Sequence, residues 1–182
     1  MINQIIKEID VNIENKNYIS ALSMALILPD ICGKAEFPNK KNKKRYIDWY
    51  EKYIGIFEKK FNSINDGSCY LSGDIVYNLR CNILHEGNPG IKNGMVDYFE
   101  LVKTDLNRAR VFMISISEEP FYIGDGEWVR KNIFSIGVHY LVSILRNVAE
   151  KYYNLNKEKF NFYQYNFVDI DRETMKAFKI KD

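Results

Sequence analysis

Cysteine is scarce in this 182-residue chain. Cys32, Cys69 and Cys81 are odd in number and form no C-x-x-C pair, which excludes a disulfide framework and a cysteine-rich zinc site. Histidine is scarcer: His85 and His139 are the only two. With no third histidine and no clustered carboxylates, no metal site is expected. A glycine-rich phosphate loop and a nucleophile elbow around Ser63, Ser68 or Ser72 are also missing, so no cofactor is expected. An excess of one charge is absent, since 26 Lys+Arg face 24 Asp+Glu for a net charge of +2. That balance excludes a strongly basic histone-like binder and an acidic disordered chain, though not a local basic patch.

Long apolar runs are lacking too. The N-terminal MINQIIKEID carries Glu8 and Asp10 where a signal peptide needs an unbroken apolar stretch. Ile133 to Val148 is interrupted by His139 and Arg146 and is too short to span a bilayer. Together with reduced thiols, these features predict a cytoplasmic protein with no membrane partner. No repeat, low-complexity tract or Gly/Ser linker marks a boundary, so residues 1–182 are expected to form one domain.

What is present is core-forming material: 46% hydrophobic and 14% aromatic residues. Ile2, Ile5, Ile6, Ile9 and Ile13 recur at helical spacing. Tyr18 to Cys32 is apolar on most sides, which predicts a central helix, kinked or ended by Pro29 and terminated by Gly33. Lys41 to Phe61 predicts a third helix with a stripe of Ile47, Tyr50, Tyr53 or Ile54, and Phe57. Ser72 to His85 predicts a fourth, with Ser72 as N-cap and Gly87 as terminator. Period-two alternation predicts a β-hairpin near 97–102 and 110–116, burying Phe99, Leu101, Phe112 and Ile114 on one face. Glu127 to about Tyr153 reads as the longest helix, with His139 a hydrogen-bonded core residue. Phe160 to Phe167 reads as an extended tail, and Asp171 to Phe178 as a last short helix. The expected fold class is all-α: a helical bundle of about five helices with a small inserted hairpin at about 97–116.

The fourth helix carries the clearest chemical signal. Arg80 is the one charged residue between Asp74 and Glu86, a stretch of eleven. At average composition about three charges would be expected there. Ile75, Val76, Leu79 and Ile83 share one face, and Asp74, Asn78, Cys81, Asn82 and His85 the other. A face of uncharged polar groups in a lysine-rich chain fits a partner surface or a site better than water, which predicts a two-fold homodimer pairing this helix with its copy. Arg80 borders the apolar stripe, where a guanidinium needs a carboxylate or a phosphate.

Arg80-Cys81-Asn82-Ile83-Leu84-His85 is an R-x4-H motif, and Tyr77 to Gly87 around it resembles the HEPN superfamily of nucleotide-binding helical domains. The upstream Ala21-Leu22 … Leu28-Pro29-Asp30-Ile31-Cys32-Gly33 is similar to a segment of small HEPN-like proteins. The resemblance covers about residues 1–90 and, loosely, the chain after Glu127. It implies a dimer with facing motifs that cleaves RNA without a metal, with Arg80 and His85 catalytic. An imidazole moves protons at the ribose 2′-OH and the leaving oxygen, while the guanidinium neutralises the phosphate. It also implies a setting in host defence or a toxin system, with a possible antitoxin or nucleotidyltransferase partner. Cys81 stands where the family commonly has Asn, Asp or His, and Asn82 comes one later. On a straight helix, positions 80 and 85 lie about 140° apart, so they converge only if the helix unwinds after Ile83 or the site is shared across two chains.

Asn78, Asn82 and Asp30 are candidate substrate-binding residues beside that motif. Lys43, Lys44 and Arg45, from the basic run starting at Lys40, are candidate phosphate contacts, with Tyr46, Trp49 and Tyr50 behind them as stacking platforms for bases. Other readings of the same residues stand. His85 caps the helix C-terminus, Arg80 pairs with Asp30 or Asp74, and the lysine run is a solvated loop over core aromatics. The corresponding alternative function is a non-catalytic module binding RNA, a nucleotide or a protein partner.

Overall fold

A computed structural model describes residues 2–57, 59, 70–86, 97–103, 114–124 and 126–162. Its elements in chain order are α1 (Ile2–Glu14), α2 (Tyr18–Glu36), α3 (Asn42–Tyr50) running into a π-helical turn (Glu51–Gly55), and α4 (Gly73–Cys81) running into a second π turn (Asn82–Glu86). They are followed by β1 (Tyr98–Val102), β2 (Ile114–Gly124), β3 (Glu127–Gly137), α5 (Val138–Leu155) and a 3₁₀ turn (Lys157–Phe160).

The expected all-α bundle with a small hairpin is corrected by a three-stranded mixed sheet of order β1-β3-β2. Strands β1 and β3 run parallel, with Phe99 opposite Phe134 and Leu101 opposite Ile136. Strands β2 and β3 form the antiparallel hairpin, from Ile114 opposite Ile136 to Gly124 opposite Glu127. The expected pairing of 97–102 with 110–116 does not form, because β3 takes the place between them. Residues 110–113, Phe112 among them, lie outside the described residues, as do the expected helix Asp171 to Phe178 and the tail beyond Phe162. The helix expected from Glu127 starts only at Val138. Its first eleven residues include Trp128, Val129, Ile133, Phe134 and Ile136, side chains that suit a pleated surface, and two neighbouring strands supply their hydrogen bonds.

The turn at the hairpin tip needs its glycines. Gly124 and Gly126 sit at φ 102° and 85°, the region other residues rarely enter. Pro120 is tolerated inside β2 because β2 lies at an edge of the sheet, where one side of the strand needs no ladder donor.

Helix α2 is central, as its sequence predicts. Ala21, Leu22, Ala25, Leu26, Leu28 and Cys32 are fully buried, and α1, α3, α4 and α5 pack around it. The helix runs on to Glu36, so Pro29, expected to kink or end it, does not end it, and Gly33 is not its terminator. Burial of the second half against α3 offsets the one hydrogen bond that Pro29 removes. Gly33 serves close approach, since a Cβ there would lie 2.7 Å from the Arg45 carbonyl oxygen. Among the described residues, α2 is also the one helix long and apolar enough to cross a membrane, and over half of it is buried inside the fold. His139 is buried, its ring edge-on to Tyr18 at 5.0 Å. The sheet joins the helices through Phe99, Phe134 and Ile136, which enter the same core.

One carboxylate ties the far ends of three elements together. Glu36, the last residue of α2, accepts hydrogen bonds from Lys52 and Tyr53 of the first π turn. It also accepts from Tyr152 of α5 at 2.9 Å and from Lys159 at 2.8 Å. Burial works against its charge, yet these four donors hold its carboxyl at about 2.

Candidate functional site

Helix α4 is positioned from its first turn. Ser72 Oγ accepts from the Ile75 backbone N–H at 3.3 Å, the N-cap expected from sequence. The Glu51 carboxylate accepts from the Gly73 N–H at 2.8 Å, from Lys59 at 2.9 Å and from the Tyr70 hydroxyl. A negative charge at a helix N-terminus is favourable, and these donors keep the Glu51 carboxyl below its ordinary value although burial opposes them. Gly55 leaves room for the arrangement, because a Cβ there would lie 2.7 Å from both Glu51 Oε2 and the Tyr70 oxygen.

One and a half turns on, Arg80 leaves α4 towards α2. Its Nη2 lies 2.7 Å from Asp30 Oδ2, with the two side chains 20% and 17% exposed. Burial disfavours the guanidinium charge, but Asp30, Cys81 and Tyr46 together outweigh it and raise its pKa. Two tyrosines line the pair. Tyr46 is fully buried and donates to the Leu26 carbonyl at 3.2 Å. Burial first, then the Asp30 charge, pushes its hydroxyl pKa well up. Tyr77 meets the Tyr46 ring edge-on at 5.2 Å. Both Tyr77 and Arg80 share side-chain hydrogen bonds with Cys81, and burial followed by Cys81 raises the Tyr77 hydroxyl. Two cations flank the Tyr77 ring: Arg80 Cζ at 5.9 Å and Lys43 Nζ at 5.6 Å from its centroid. Lys43 also pairs with Asp74 at 3.2 Å.

The helix changes form directly after Cys81. The Asn82 N–H is shared between the Asn78 and Leu79 carbonyls, and Asn82 to Glu86 then follow a π-helical path. An α-helix advances about 100° per residue, which separates positions 80 and 85. A turn closed by i→i+5 hydrogen bonds advances only roughly 80°, so it swings the backbone position of His85 back towards the side of Arg80. The change of form begins at Asn82, one residue ahead of Ile83, the point after which the spacing would need the helix to unwind. The His85 side chain itself lies outside the described residues.

The predicted site residues divide into two groups. Arg80, Asp30 and Lys43 come together around Tyr77. Asn78 is half-buried on the same helix. Asn82 is buried rather than presented on an open polar face, and its Nδ2 has no hydrogen-bond partner among the described residues. Lys44 is drawn away to Asp48, which it shares with Lys40. Arg45 is half-buried beside Gly33. Tyr46, Trp49 and Tyr50 are fully buried and offer no platform for bases, a correction to the stacking role expected of them. Their rings fill the space between α2, α4 and α5.

Tyr77 and the π turn escaped sequence reasoning. The i,i+4 spacing of Tyr77 to Cys81 was legible, but a π turn has no strong signature in residue types. Among the described residues, no group of three or more His, Cys, Asp or Glu is placed to hold a metal ion. Compared with models of protein families, with curated proteins and with solved structures, the chain matches none of them.

Proposed function

We propose that the chain is a cytoplasmic, HEPN-like, RNA-directed protein that cleaves phosphodiester bonds with Arg80 and His85 at a site completed by a second copy. The observation that supports the reading is the π turn that starts between these two residues, which narrows the angle between their backbone positions relative to a straight α-helix. Arg80 is the group to neutralise charge on the phosphate. His85 takes the proton from a ribose 2′-OH, the 2′-oxygen attacks the adjacent phosphorus, and the 5′-oxygen leaves with a proton from an imidazolium. The products are a 2′,3′-cyclic phosphate and a 5′-hydroxyl. Lys43, beside Tyr77, extends the cationic surface along the backbone of a bound strand. Asn78 offers its amide to the ribose and base, buried Asn82 braces the helix behind it, and Lys44 and Arg45 lie further along the same basic run.

A second reading is favoured by one observation, the 2.7 Å pairing of Arg80 with Asp30. In that reading Arg80 is structural, and the module binds RNA, a nucleotide or a protein such as an antitoxin or nucleotidyltransferase without cleaving. Incubating the purified chain with mixed RNA in EDTA, and mapping product ends, separates the two. Cyclic-phosphate ends that vanish with His85→Ala support the enzyme. Intact RNA held in a complex that survives His85→Ala refutes it and leaves the binding module.

A further inference from the structure

We propose that the β2–β3 ribbon is an arm that docks onto a second copy of this chain, at the cationic end formed by the first π turn and the end of α5. The proposal does not depend on the RNA reading. Strand β1 pairs with β3 only from Ile133 to Gly137, whereas β2 continues alongside β3 to Glu127. Asn132 is still tied to Asp97, just ahead of β1, so among the described residues the five from Glu127 to Lys131 have β2 as their one strand partner, a ribbon about 16 Å long at roughly 3.3 Å per residue. A two-stranded ribbon is marginal in water. This one ends in apolar side chains turned to solvent: Tyr122, Ile123 and Trp128 are 57%, 55% and 66% exposed. Tyr122 and Trp128 pair across the strands at 5.3 Å.

Charge selects the occupant. From Ile114 to Ile133 there are four acids (Glu118, Glu119, Asp125 and Glu127) against Arg130 and Lys131. The ribbon thus carries −2 and leaves +4 on the remainder of a chain of net +2. Like charge opposes both RNA phosphates and an anionic membrane surface. The complement lies on the helical body. Ile56 and Phe57, at the end of the first π turn, are adjacent in sequence and 59% and 66% exposed. Around them the ion pairs are oriented with the cation outward. Lys52 and Lys159, 52% and 39% exposed, share Glu36, which is 9% exposed; Lys59, 60% exposed, covers Glu51, which is 26% exposed. By contrast, exposed Val11 stands among Glu8, Asp10 and Glu14, and exposed Ile27 lies one turn from Asp30. Within a single chain the two surfaces do not meet, since the ribbon tip is open to solvent. Two copies exchanging arms about a two-fold axis satisfy both, each giving one ribbon and receiving one.

Sedimentation velocity of the full chain, in about 0.1 M and 0.5 M salt, tests this. The parent is expected to be a dimer at micromolar concentration, weakened by salt. Tyr122→Ser with Trp128→Ser, and separately Ile56→Asp with Phe57→Ser, should each weaken association by at least about 100-fold with an unchanged circular-dichroism spectrum. Because each variant keeps one intact surface, mixing the two should restore part of the association. A parent that stays monomeric at about 100 µM overturns the proposal. So does a tip variant that dimerises like the parent. If the tip variant still dimerises but loses the dimer on changing Asn78 and Cys81, association runs through α4, and the arm is refuted while the composite RNA site stands.

Discussion

Replacing Glu36 with Gln removes the charge on which Lys52, Tyr53, Tyr152 and Lys159 converge while leaving the side chain's shape almost unchanged. The native carboxyl sits at about 2 against an ordinary 4.5, a depression of roughly 2.5 units. At about 1.36 kcal/mol per unit, the ceiling is about 3.4 kcal/mol. Both lysines are exposed enough for solvent to screen them, so about 2 kcal/mol is expected. The depressed value sets the sign. The stabilisation is fully present above about pH 4.5 and is lost as pH falls towards 2, because below 4.5 the unfolded chain binds a proton that the native one refuses. Urea denaturation of parent and variant should therefore show a gap of about 2 kcal/mol at pH 7. At pH 3.5 the gap should narrow by about 1 kcal/mol. A gap below about 0.5 kcal/mol at pH 7, or one equal at both pH values, would show that the four donors do not act on a charged Glu36.

Phe134→Ala empties a fully buried site where the sheet meets the helices, and should lower stability by about 3–5 kcal/mol in denaturant melts; a loss under 1 kcal/mol would mean that the sheet is not part of the core. Gly33→Ala places a methyl 2.7 Å from the Arg45 carbonyl, a backbone atom that cannot swing aside, and should lower the melting temperature by several degrees, whereas an unchanged melt would place α3 further from α2. A double-mutant cycle on Asp30→Asn and Arg80→Gln should return a coupling of about 1–3 kcal/mol, and additive losses would deny the pair. Lys43→Ala should weaken RNA binding and flatten its salt dependence while leaving melting within a degree or so, since Lys43 is exposed, its ion pair is with exposed Asp74, and its contact with the Tyr77 ring is long at 5.6 Å.

Local rules written into the residues were legible without the structure. The isoleucines of α1, the all-round apolarity of α2, the Ser72 cap and the placement of the R-x4-H motif on α4 all depend on neighbours within a turn or two. The pairing of Arg80 with Asp30, 50 positions apart, was one of two options that its place beside the apolar stripe allowed. The burial of Tyr46, Trp49 and Tyr50 was likewise one of two readings of the same run.

Tertiary structure decided the rest. Glu127 to Gly137 carries apolar residues at spacings that serve either a helix or a strand, and neither period nor propensity settles the choice. A parallel partner 35 residues upstream and an antiparallel one just before it make the segment a central strand. Pro29 reads as a helix end until packing on several sides offsets its missing hydrogen bond. The π turn begins at Asn82, which is buried at the end of α4, and it changes the angle between positions 80 and 85. Periodicity along the chain therefore determined which faces are apolar, because that depends on one residue and its near neighbours. Which strand lies between which others, and which carboxylate meets which cation, depends on where distant segments arrive, and the core had to assemble before either was defined.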